Sequence, residues 1–326
     1  VLKALGGGVW GGLEMLVERA PEKFDMILDK ANSEYINLPG ISVLIGGMWI
    51  ANLYYWGTNQ YIIQRALAAK NLQEAQKGTA FAALLKILLP LIVVIPGIAA
   101  FVLQADIAKP DEAYPWVLSN YVTTGFKGLA FAALIAAIGS SLSSMVNSAS
   151  TIFTLDIYRP FFMKKTGDKE LTSKEESKLV TIGKTAAGVS LLLGIIVAPL
   201  LGNLDQAFQY IQEYTGFISP GVVAVFILGL FWKRTSTNAA LTAVIIAIPL
   251  SAGFKFLLPE LPFIDRMGIC FLLIAGIMVL ISLMDNKGDD HKAINIEKGL
   301  FKTSQAFNLT AVAVCGILAV IYAVFW

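Results

Sequence analysis

The stretch IANLYYWGTNQ, Ile50 to Gln60, decides how this chain is read. It lies inside a run apolar enough to cross a membrane, yet it sets Asn52, Tyr54, Tyr55, Trp56, Asn59 and Gln60 almost side by side. Gly46 and Gly47 come just before it. As one straight helix, residues 38–67 would reach about 45 Å at 1.5 Å per residue, against a hydrocarbon core of about 30 Å. Such a span must tilt, protrude or break. The glycine pair followed by polar residues points to a break near 46–57. Irregular backbone at membrane depth is tolerated only where protein buries it or where it lines a watery cavity. The polar cluster is therefore expected to line a cavity.

The rest of the composition agrees with a membrane setting. Of 326 residues, 56% are hydrophobic and 15% charged, with a mean hydropathy of +0.68. A soluble domain carries about 25% charged residues. The chain reads as an integral membrane protein whose constant partner is membrane lipid. A net charge of +2 gives no argument for nucleic acid, and nothing in the sequence signals an oligomeric state. Cys270 and Cys315 both sit in apolar runs and read as packing thiols. The opening VLKALGGGVWGG has no initiator Met and no signal-peptide layout. It resembles the end of a helix already under way, so the chain is expected to be the C-terminal part of a longer protein.

Eight full spans follow the stub at 1–12: 38–67, 79–103, 125–158, 179–201, 207–232, 238–258, 264–284 and 305–326. None shows the alternation of barrel strands, so all are read as helices of an all-α, polytopic bundle. The 125–158 span has no central Pro and is expected to tilt and protrude into the cytoplasm. Alternate loops at 65–78, 159–178, 233–238 and 285–304 hold 15 Lys and Arg, and the opposite set holds 7. The first set is expected to be cytoplasmic, which puts Trp326 on the outer side. The loop 13–37 then faces out, and its Glu14, Glu18, Glu22, Asp25, Asp29 and Glu34 read as a solvated face.

Three groups stand out against this background. Lys86 lies about eight residues into its span, where a charge costs at least about 2.5–3.5 kcal/mol and is functional by default. It is expected to face a cavity rather than snorkel to the interface. Pro90 and Pro96 follow and would bend the helix. Ala137, Ser140 and Ser141, in ALIAAIGSSLSSMVNSAS, share one helix face. Two hydroxyls and a carbonyl, completed from another helix, would suit a hard monovalent cation such as sodium. The same small-residue face would suit close helix packing, and the spacing leaves both readings open. In NLDQAFQYIQEYTGFISPG, Phe208, Gln212 and Thr215 fall on one face, with Pro220-Gly221 soon after. Gln212 suits a neutral polyol or an interhelical hydrogen bond equally well. The sequence has no P-loop, no visible nucleophile–base pair and no His/Cys cluster, since His291 is its one histidine. ATP-driven transport and a membrane enzyme are therefore unsupported, and neither an organic cofactor nor a metal other than sodium is expected.

WGTNQYIIQRALAAKNLQEAQKG resembles the signature of the sodium/solute symporters. SSLSSMVNSASTIFTLDIY is similar to that family's sodium-site helix, and YIQEYTGFISPGVVAVFILGLFWKR resembles its sugar-transporting branch. The likeness runs to about Arg234 and weakens in the last three helices. It implies a five-plus-five inverted repeat of the leucine-transporter type, with substrate and ion held near the midplane between broken helices. On that reading, residues 1–12 end the last helix of the first repeat and 38–232 form the second. Residues 233–326 would be three peripheral helices.

The resemblance also implies roles. Asn52, Lys86 and Gln212 would be ligands to sugar hydroxyls. Tyr55 would stack under the pyranose and close the inner gate, and Phe208 would belong to the outer gate. The Ala137 carbonyl with the Ser140 and Ser141 hydroxyls would hold the co-transported sodium ion. Trp56, Asn59, Gln60 and Thr215 would support the site. The implied function is sodium-coupled transport of galactose or glucose by alternating access. Alternatives are a symporter for proline, pantothenate or myo-inositol, or a membrane sugar sensor.

Overall fold

The computed structural model describes residues 1–163, 171–201, 206–285, 288–291, 293–296 and 299–326. Parts of the loops expected at 159–178, 202–206 and 285–304 lie outside the described residues. Among those described, regular structure is entirely helical.

The chain opens with α1 (Leu2–Leu5) and α2 (Gly8–Arg19), separated by Gly6 and Gly7 at φ 123° and 65°. Helix therefore continues seven residues beyond the stub read from the sequence. The six acidic residues between 14 and 34 are exposed. The 38–67 run is broken twice. Helix α3 (Ser42–Ile45) ends at Gly46, α4 (Met48–Leu53) runs into a π-helical turn at Tyr54–Thr58, and α5 (Gln60–Leu67) restarts after the extended Asn59.

Helices α6 (Leu72–Ile87) and α7 (Leu89–Val102) form one span of 31 residues. The Asn71 side chain caps α6 by accepting from the Glu74 amide at 2.9 Å. This start is seven residues earlier than the apolar run suggests, and it puts Lys86 near the middle of the span. After α8 (Ala113–Tyr121), helix α9 (Thr124–Ile152) continues through a π-helical segment at Phe153–Tyr158 into α10 (Arg159–Phe162). These 39 residues span about 58 Å at 1.5 Å per residue, far more than a bilayer core. Helix α11 (Ser173–Leu201) packs along α9.

Helices α12 (Ala207–Thr215) and α13 (Ser219–Phe231) are a bent pair, turning by 42° across Gly216 to Ile218, with Pro220 in the first turn of α13. Then come α14 (Thr237–Leu257), α15 (Phe263–Asp285) and α16 (Gln305–Val324). Among the described residues, six helical spans are long and apolar enough to cross a membrane, and the bent pair makes a seventh. The eighth expected span, 38–67, is not among these: its helical part, 42–67, is broken into three short helices.

The best-buried core lies between α13, α14 and α15. Ala224, Ala239, Ala243, Ala247, Cys270, Ile274 and Met278 close it. Small residues let these helices approach closely: a Cβ on Gly221 would lie 2.7 Å from that of Ala247. Cys270 packs there as a free thiol, while Cys315 is exposed on α16. The N-terminal half of the broken span joins this bundle through Val43, Ile264 and Met267. Helix α16 instead docks on α6, where Gln76 bonds the Lys302 carbonyl and the Ser304 amide, both at 2.9 Å.

Candidate functional site

The π-helical turn at Tyr54–Thr58 organises the first group of side chains. Its wider winding leaves the Asn59 amide bonded to the Tyr54 carbonyl at 2.9 Å, five residues back. Such turns re-aim side chains and often mark functional positions. Here the turn brings Tyr55 against Trp56 edge to face, with centroids 5.2 Å apart, and against Tyr61 at 5.8 Å. The Tyr61 hydroxyl donates to the Tyr55 hydroxyl at 2.7 Å. Lys86 reaches across from α6, its Nζ 4.7 Å from the centre of the Trp56 ring. An ammonium over an indole face is attracted by the ring quadrupole, more so where water is scarce. Lys86, Trp56, Tyr55 and Tyr61 thus form one cluster of cation, flat aromatic faces and hydroxyls. Asn52 sits a turn earlier, its amide donating to the Met48 carbonyl at 2.9 Å. Its carbonyl oxygen remains available as an acceptor. Asn59 and Gln60 open α5.

On α9, Ala137, Ser140 and Ser141 are all exposed on one face. One turn further on, this face is tied to α5. Arg65 donates to Ser144 Oγ at 2.7 Å and Gln64 to the Ser144 carbonyl at 3.4 Å. Asn147 donates to Gln64 Oε1 at 3.2 Å, and Ser144 Oγ donates to the Ser140 carbonyl at 3.1 Å. Helix α5, which follows the turn that carries Tyr55, is thereby joined by side-chain hydrogen bonds to the helix that carries the two serines.

The third group runs along α12. Phe208 is 70% exposed, and Gln212 is exposed beside it. Thr215 donates to the Ile211 carbonyl at 2.8 Å, satisfying its hydroxyl within its own helix. Glu213, next to Gln212, pairs with Lys255 of α14 at 3.1 Å and Arg266 of α15 at 2.6 Å.

The structure therefore brings together Tyr55, Trp56 and Lys86 directly. It links Ser140 through Ser144 to α5, the helix after the Tyr55 turn, and holds Gln212 and Phe208 on a separate bent span whose α13 half packs against that turn. Tyr61, Gln64, Arg65, Ser144, Asn147, Glu213, Lys255 and Arg266 were not singled out from the sequence. Ser144 carried a signal, because it lies at i+4 from Ser140. Glu213 carried the same signal as Lys86, a charge inside an apolar span.

Comparison with known proteins identifies the family. The sodium:solute symporter family matches residues 1–247. A sodium/glucose cotransporter of Vibrio parahaemolyticus is 47% identical over 99% of this chain and 61% of its own length. An uncharacterized symporter of Escherichia coli is 34% identical over 76% of the chain and 41% of its own length. A sodium/myo-inositol cotransporter 2 of Mus musculus is 35% identical over 70% of the chain and 35% of its own length. The chain thus spans about three fifths of the length of the first of these relatives and less of the others. With its long apolar helices and this likeness, the chain is an integral membrane protein that belongs to the sodium:solute symporter family.

Proposed function

We propose sodium-coupled transport of a sugar, galactose or glucose, by alternating access. The observation that carries this reading is the joining of the Tyr55–Trp56–Lys86 cluster to the serine face of α9 through Gln64, Arg65, Ser144 and Asn147. A pyranose presents apolar C–H faces and a belt of hydroxyls. Tyr55 would stack against the face and later move as the inner gate. Asn52, Lys86 and Gln212 would bond the hydroxyls, while Phe208 would shield the outer side. Trp56 holds Tyr55 edge-on and lies under Lys86, which suits a supporting role. Asn59, Gln60 and Thr215 take the same supporting part. The Ala137 carbonyl and the Ser140 and Ser141 hydroxyls would bind sodium, an oxygen-seeking cation, weakly enough to release it.

In this mechanism residues 38–232 form a five-helix repeat of an inverted-repeat fold, and the last three helices pack on its outside. The acidic 13–37 segment and the C-terminus lie on the outer side. Sodium binding from outside stabilises the state that accepts sugar. Both then cross, sodium leaves into the sodium-poor cytoplasm, Tyr55 moves, and the sugar follows. A negative-inside potential adds about 2.3 kcal/mol per charge per 100 mV. The likeness to myo-inositol cotransporters favours one second reading, a cyclic polyol in place of the pyranose.

Equilibrium binding to the purified, complete protein tests the coupling. Sodium should raise the affinity for galactose or glucose, and the sugar should raise the affinity for sodium by the same factor. In Ser141→Ala the folded protein should persist while that factor falls toward one. Full coupling in Ser141→Ala would overturn the assignment of the ion site.

A further inference from the structure

The first turns of α15 lie outside the proposed repeat, yet they touch two of the three helices that carry proposed sugar ligands, those of Asn52 and Gln212. Gly47, at the break before Asn52, meets the α15 backbone directly. A Cβ there would overlap the Ile264 carbonyl and lie 3.0 Å from the Gly268 amide. Gly216, four residues after Gln212, faces Met267, whose Sδ would be 2.8 Å from a Cβ. The Ser219 hydroxyl meets the same sulfur at 3.5 Å. Between these two contacts Arg266 bonds Glu213 at 2.6 Å, with Lys255 on the other carboxylate oxygen at 3.1 Å. The two cations also stand over aromatic rings of the same stretch, Arg266 5.5 Å from Phe217 and Lys255 4.7 Å from Tyr214.

This is an expensive arrangement. Arg266 is 3% exposed and sits in the first turn of its helix, where the positive end of the dipole disfavours a cation. A buried ion pair adds little net stability, because desolvation offsets the attraction, but its geometry is specific. Arg266 projects two ways in effect: its backbone belongs to the turn that wedges the Gly47 break, and its guanidinium grips the residue beside Gln212.

We infer that residues 264–268 of α15 are a positioning strut that fixes the Asn52 and Gln212 helices relative to each other. Glu213 and Arg266 are its positioning residues, setting the rotation of α12 about its axis and hence the direction of Gln212. This rests on the proposed role of Asn52 and Gln212 as sugar ligands.

Two measurements on the complete protein in proteoliposomes test it. In Arg266→Gln the KM for sugar should rise about tenfold, with the sodium half-saturation unchanged and Vmax per folded molecule retained. Arg266→Lys should recover most of that loss, and Glu213→Gln/Arg266→Gln should be no worse than Arg266→Gln alone. A merely structural pair would lower the amount of folded protein and leave KM alone. An unchanged KM in folded Arg266→Gln, or additive effects in the double variant, overturns the strut. The second measurement needs no sugar. With the exposed Cys315 replaced by Ser, spin labels at Trp49→Cys on α4 and Tyr210→Cys on α12 should give one narrow distance distribution with Arg266 present and a broad one with Arg266→Gln. The same width in both overturns the strut. Broadening in a protein that shows no sodium-dependent sugar uptake would support the strut and overturn the sugar reading alone. If Arg266→Gln does not fold, Arg266→Lys carries both measurements, with a smaller KM shift and partial broadening expected and no change in either overturning the strut.

Discussion

The two halves of the broken span are attached in different ways. The first half, α3 and α4, lies against α13 and α15 through apolar side chains and direct backbone contact; Val43, Ile50, Ile264 and Met267 are buried there. The second half, α5, meets α9 through the side chains of Gln64, Arg65, Ser144 and Asn147. Close-packed apolar contacts resist small displacements, because every gap forfeits attraction. Interhelical hydrogen bonds are worth only about 0.6–2 kcal/mol each and can be traded for water. In the proposed cycle the α13–α15 bundle would be the fixed side and the α9–α11 pair the side that shifts. The π-helical turn with Tyr55 lies between them.

Breaking the packed side should have the largest effect. Ile274→Ala, in the centre of the bundle, should destabilise by about 2–5 kcal/mol. Ile195→Ala, at an exposed position of α11, should stay within about 0.5 kcal/mol. Thermal unfolding followed by tryptophan fluorescence compares the two, and equal losses would erase the distinction. Gly47→Ala should come next, at about 1–3 kcal/mol, because the new methyl meets the Ile264 carbonyl and the neighbouring backbone must shift.

The polar side should respond more mildly and in a different currency. Lys86→Ala and Gln212→Ala should each weaken sugar binding about tenfold while its sodium dependence persists. Arg65→Ala and Ser144→Ala should each cost about 0.6–2 kcal/mol, read as a smaller rise in sugar affinity on adding sodium. The double variant should cost no more than the worse single one. Additive losses would mean that the two side chains act separately and that the bond between α5 and α9 carries no coupling.

The pattern of legible and hidden features follows from range. The break near 46–57 could be read because Gly46-Gly47 and the polar run after it are neighbours in sequence. The bent 207–231 span was legible through Pro220 in the same way. The depth of Lys86 was not, because the apolar run begins near Thr79 while Asn71 caps the helix two polar turns earlier. Hydropathy marks apolar residues, and capping marks the start.

Long-range pairs were the least legible. Ser144 stands at i+4 from Ser140, but its partner Arg65 lies 79 residues away. Lys255 and Arg266 sit at the ends of apolar runs and fall among the 7 basic residues of the opposite loop set, in its 255–266 loop. Their partner Glu213 lies 42 and 53 residues off, and with it they belong to the bundle instead. Setting them apart leaves 5 basic residues against 15 in the two sets of alternate loops, the asymmetry from which the orientation is expected.

Uptake of radiolabelled galactose and glucose into proteoliposomes holding the complete protein tests the central claim most directly. The two arms are an inward sodium gradient and an equal potassium gradient. The account predicts accumulation with sodium alone. Equal uptake in both arms, or none in either by folded and inserted protein, would contradict sodium-coupled sugar transport.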